Sequence, residues 1–69
     1  MATNMNLLRA KIVERGTTQE RVAEQMGIDA STLSRKIQAQ GLSFSIGEMH
    51  KLANILQLSS SEASAIFLE

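Results

Sequence analysis

The side chains able to do chemistry are concentrated in one short stretch. Ser31, Thr32, Ser34, Arg35, Lys36, Gln38 and Gln40 bring hydroxyls, amides and two cations together. Leu33 and Ile37, four apart, are the only large apolar residues among them. A helix here has one narrow buried edge, and polar donors and acceptors cover the rest of it. Such a surface recognises a polar partner by hydrogen bonding; it does not make or break bonds. The chain has no cysteine and a single histidine, His50. It also lacks a glycine-rich phosphate loop and any carboxylate pair with an acid-base partner. No enzyme activity, metal or cofactor is expected, and a lone histidine without a second ligand reads as surface.

Two short helices joined at a glycine must position that stretch. Val22, Ala23 and Met26 make one apolar face of a helix that stops at Gly27. Just past a helix end the backbone commonly turns left-handed, which only glycine does without steric cost. Asp29 then offers an acceptor for the free amides of the next helix, over residues 30–39, and Ile28 can pack on Leu33 as a hydrophobic staple. Thr18 is the expected cap of the preceding helix, leaving Gln19 in its first turn. Thr17 competes, because Thr17-x-x-Glu20 has the spacing of a capping box. In a helix-turn-helix, a helix with so thin an apolar seam is presented to the major groove of DNA, which admits one helix and shows base edges to short polar side chains and arginine.

Gln19, Ala23, Gly27, Ile28, Leu33 and the Leu-Ser-Arg run at 33–35 resemble the helix-turn-helix of the phage Cro and CI repressor superfamily, also called the XRE family. The resemblance implies an all-α, five-helix lambda-repressor-like DNA-binding domain spanning residues 1–69. It assigns base reading to Ala30, Ser31, Thr32, Ser34 and Arg35. Ala30 can offer only van der Waals contact, for example to a thymine methyl, whereas the Arg35 guanidinium can fork onto guanine O6 and N7. Gln19, Gln38 and Gln40 match positions that bond DNA phosphates. The chain departs from the pattern twice. Ile12 and Ile37 stand where many members hold an arginine and a glutamate, so these two are expected to touch. Lys36 replaces a usually apolar residue and is expected to reach phosphate.

The remaining chain reads as further helices. Residues 1–5 carry no signal and are expected to be frayed. Leu8, Ile12 and Val13, with Leu7, make a first helix over residues 6–15, and Arg9, Lys11 and Arg15 lie off its stripe, as solvated surface or phosphate contacts. Gly41 is the expected left-handed cap after the presented helix. Ser45-x-x-Glu48 and Ser59-x-x-Glu62 are capping boxes that begin a fourth and a fifth helix. Ile46, Met49, Leu52, Ala53 and Leu56 fall on one core stripe of the fourth, and Phe44 can staple onto Met49. The fifth offers Ala63, Ile66 and Phe67. With Leu68 these form an apolar cluster that is either buried on its own domain or a homodimer contact through Ile66, Phe67 and Leu68.

Formal charge is zero, with seven basic and seven acidic residues, which weakens the phosphate attraction that dominates nucleic-acid affinity. Its distribution is uneven: residues 1–40 hold six Lys/Arg against four Asp/Glu, and residues 41–69 hold one against three. No apolar run approaches the ~18 residues of a membrane span, and a secretory core is lacking at the start. A cytoplasmic protein of a bacterial cell or phage-infected host is expected. The favoured function is an operator-binding regulator whose partners are double-stranded DNA and a second copy of itself. The alternative is a helical protein-interaction module or antitoxin-like subunit, favoured by the zero charge and disfavoured by the polar helix, since protein interfaces prefer aromatic and apolar anchors.

Overall fold

The computed structural model describes residues 3–68. Their regular elements are five helices: α1 (Met5–Glu14), α2 (Gln19–Met26), α3 (Ala30–Gln38), α4 (Ile46–Ile55) and α5 (Ser60–Phe67). Four of them start on a side-chain cap. Asn4 Oδ1 accepts from the Leu7 amide at 3.0 Å, and Thr18 Oγ1 from the Arg21 amide at 3.2 Å. Ser45 and Ser59 form complete capping boxes with Glu48 and Glu62. Thr18, and not Thr17, therefore begins α2. Asp29 holds the cap position of α3 with an extended backbone, but its carboxylate makes no capping bond. The expected Asp29 cap is thus absent, and α3 is started by the turn before it and by Ile28, which packs against the core.

Helices α1 to α4 end by a common device. In a Schellman ending, one amide reaches back to the carbonyl five residues earlier and the preceding amide to the one three residues earlier, which satisfies two orphan carbonyls. At Gly27 the bonds are Ile28 N to Ala23 O, 3.0 Å, and Gly27 N to Glu24 O, 3.1 Å. The same pair closes α3, with Gly41 N to Lys36 O at 2.9 Å and Gln40 N to Ile37 O at 3.0 Å. There the left-handed residue of the motif is Gln40, φ 64°, one residue before the expected Gly41. Gly41 is left-handed as well, φ 70°, and a Cβ on it would lie 2.8 Å from Met5 Cε and 3.3 Å from Phe44 Cδ2. Close approach of the N-terminal segment, in addition to the turn, requires glycine there.

Frayed residues were expected at 1–5. Residues 1 and 2 lie outside the described part, but the next three are held by tertiary contacts that local sequence does not encode. The Thr3 hydroxyl donates to Gln40 O, the Asn4 amide donates to Ile66 O at 2.6 Å, and Met5 is buried.

α2 packs on both α3 and α4, while α1 packs on α5. Leu8, Ile12, Val22, Ala23, Met26, Leu33, Ile37, Phe44, Leu52, Leu56, Ile66 and Phe67 join Met5 in one buried cluster. Ile12 and Ile37, expected to touch, both lie in it, and neither brings a charge that burial would have to desolvate. Phe44 meets Phe67 edge-on at 6.4 Å. Two residues read as core face solvent instead: Val13 is 75% and Ile46 74% exposed. Val13 sits ~100° around α1 from Ile12, and Ile46 occupies the first turn of α4, ahead of the buried part of its stripe.

Gln40 pays the steric cost of a left-handed L-residue, so Gln40→Gly should stabilise the fold by about 0.5–1 kcal/mol, net of glycine's extra unfolded-state entropy. Gly41→Ala should destabilise it by roughly 1–3 kcal/mol. Urea unfolding of the two variants beside the parent checks both signs.

Candidate nucleic-acid interface

α3 turns Leu33 and Ile37 inward and Arg35 outward. With 100° per residue, Ser31, Arg35 and Gln38 fall in one row along the helix, and all three are exposed. Thr32 and Ser34 flank the row and are half-exposed, while Ala30 is half-buried and packed against the core. The structure thus gathers four of the five residues expected to read bases onto an accessible surface, and leaves Ala30 at its inner edge. Gln19 opens α2 and is half-buried; Gln38 and Gln40 are exposed at the far end of α3.

Lys36 is placed differently from the expectation. Its Nζ lies 3.3 Å from Glu48 Oε1, donates to Ser43 O at 3.2 Å and stands 5.9 Å from the Phe44 ring centroid. The ammonium that was expected at phosphate is instead occupied within the protein, tying the last turn of α3 to the first turn of α4. No local spacing could have announced this, because the partners are 12 residues apart.

The cations at positions 9, 11 and 15 also have partners within the protein. Lys11 Nζ pairs with Glu62 at 2.6 Å and with Glu14 at 3.1 Å. Arg15 Nε donates to Leu56 O at 2.7 Å and its Nη2 to Gln57 O at 3.3 Å, capping the C-terminus of α4. Cations are favoured at that end of a helix dipole. Arg9 donates to Asn6. Arg9, Lys11 and Arg15, expected as solvated surface or as phosphate contacts, thus each hold a bond within the chain. Among the described residues, Arg21, Arg35 and Lys51 make no ion pair or side-chain hydrogen bond. Arg35 is the one of these on the polar row of α3.

Ile66 and Phe67, expected at a dimer contact, are 0% and 8% exposed and belong to the core of their own chain. Leu68 remains 61% exposed. It lines an apolar groove between α4 and α5 together with Ile46, Met49, Ala53, Ala63 and an edge of Phe67. Sequence periodicity assigned Ile46 to the core because its spacing from Met49 is right; only the position of α5 leaves it at the groove mouth.

Among the described residues no group of histidine, cysteine or acidic side chains could hold a metal ion, and no helix is long and apolar enough to cross a membrane. Compared with known proteins, residues 8–62 match the model of a helix-turn-helix family. No curated protein and no solved structure matches the chain.

Both carboxylates of the capping boxes are held ionised. Lys11, and then the Ser59 amide, hold Glu62 down from its ordinary value near 4.5 to about 2. The Ser45 amide, and then Lys36, lower Glu48. Because the unfolded chain binds these protons more readily than the folded one, folding is favoured above about pH 4.5 and that share of stability is lost as pH falls toward 2. The thermal midpoint should therefore drop between pH 5 and pH 3, and the drop should be smaller in Glu62→Gln, as followed by circular dichroism.

Proposed function

The chain belongs to the XRE-type helix-turn-helix family of DNA-binding transcriptional regulators, and on that premise we propose that it is a phage or prophage repressor of the Cro and CI kind, occupying a palindromic operator as a symmetric homodimer. The supporting observation is α3 itself: two apolar side chains anchor it, and a row of Ser31, Arg35 and Gln38 is left in solvent. A helix of that width enters the major groove, where Arg35 reads guanine as a bidentate fork and Ser31, Thr32 and Ser34 meet neighbouring base edges. Ala30 supplies a contact without hydrogen bonding. Gln19, at the start of α2, and Gln38 and Gln40, at the end of α3, fix the helix against phosphates on either side.

Two copies double these contacts, which matters for a protein with so few unpaired cations. The groove between α4 and α5 is the surface that fits a second copy, with Ile46, Met49 and Leu68 replacing the buried Ile66 and Phe67 as the contact. Repression then follows from occupancy alone: a protein bound across a promoter excludes polymerase.

Arg35→Ala should weaken operator binding by about tenfold to a hundredfold, the equivalent of losing ~1–3 kcal/mol of guanine readout. A band-shift series on duplexes selected from a random library measures it, and unchanged affinity would remove the proposed readout. In the same series Lys36→Met should leave the salt slope as it is, since that ammonium is paired with Glu48. Sedimentation equilibrium tests the dimer: the parent should associate and Leu68→Glu should be monomeric. A parent that stays monomeric at high concentration and on DNA would end the homodimer reading.

A further inference from the structure

Leu42 is the large apolar residue that the fold explains least. It is 76% exposed and lies outside the groove between α4 and α5. Its turn, residues 39–43, follows directly on α3 and is fixed from several sides. The Leu42 amide reaches Ala39 O at 3.4 Å, the Phe44 amide donates to Gly41 O at 3.2 Å, and Lys36 donates to Ser43 O at 3.2 Å. The Thr3 hydroxyl bonds Gln40 O, and Gly41 is buried against the Met5 and Phe44 side chains. A leucine held in water on a turn this constrained has already lost most of the backbone freedom that binding would otherwise cost.

Its neighbours indicate what it meets. The exposed row of α3 ends at Gln38, and the turn continues with exposed Ala39, Gln40, Leu42 and Ser43. We propose that Leu42 is a DNA-contacting residue that packs against deoxyribose on the backbone strand at the edge of the groove entered by α3, beside the phosphates bonded by Gln38 and Gln40. The inference rests on the operator-binding reading and deepens it. Sugar faces are the apolar part of the backbone, and covering one with an aliphatic side chain contributes affinity without releasing a counterion. Such a contact persists as salt rises, whereas phosphate contacts weaken. It offers a chain of zero formal charge a way to hold DNA that does not depend on more lysines.

The test is a salt series of DNA binding by fluorescence anisotropy, with the full chain and its Leu42→Ala, Leu42→Lys and Arg35→Ala variants on one selected duplex. Leu42→Ala should weaken binding about fivefold at every salt concentration, with the log-log slope unchanged. Leu42→Lys should place an ammonium at the backbone and steepen the slope by about 0.9 per subunit. If both variants bind with parental affinity and slope while Arg35→Ala loses affinity, Leu42 faces away from DNA and the operator reading stands. If the parent binds no duplex, both fall.

Discussion

A two-residue apolar seam holds α3, and the rest of the molecule is arranged around that thinness. Leu33 and Ile37 are fully enclosed, but two side chains leave a helix free to roll about its own axis. Its attitude has to be fixed from the ends. At the front the glycine turn and Ile28 lock α3 to α2. At the back Gln40 and Gly41 close the helix, Met5 and Phe44 press on the glycine, and Lys36 ties the last turn to Glu48. An orientation set in this way survives removal of apolar residues from the outer face, which is what lets that face be polar.

The same economy governs charge. Lysines and arginines that could have formed a basic patch are used to join elements: Lys11 links α1 to α5, Arg15 closes α4, and Lys36 joins α3 to α4. Exposed ion pairs contribute little stability individually, so their value is in direction, aligning helix ends that carry few apolar contacts. The consequence for recognition is a surface in which hydrogen bonds and shape count for more than field strength.

Features that depend on residues three or four apart were legible in the sequence. Both serine capping boxes, the left-handed Gly27 and the polar row of α3 follow from local chemistry, whereas the helix-turn-helix family and its five-helix fold were implied by resemblance. Features that depend on which helix lies alongside which were not. Val13 and Ile46 satisfy the apolar period of their helices and still face solvent, because the core is narrower than their stripes. Ile66 and Phe67 could by spacing belong to their own core or to a dimer contact; both lie in the core, on a helix packed against α1. Lys36 looked like a phosphate contact until Glu48 was brought beside it. Of the residues expected to read bases, Ser31 and Arg35 are exposed and Thr32 and Ser34 half-exposed, whereas Ala30 lies partly beneath the surface.

The bond between the Asn4 amide and Ile66 O joins the start of the first helix to the last one, with the Lys11 to Glu62 pair further along both. Seen mechanically, this is a zipper with both pull tabs at the same end. Tension applied through the two termini would open it tooth by tooth, starting at Asn4, while the α2–α3 hairpin stayed out of the path of the load. A load carried between the two termini would thus strain α1 against α5 long before it disturbed the helix that carries Arg35.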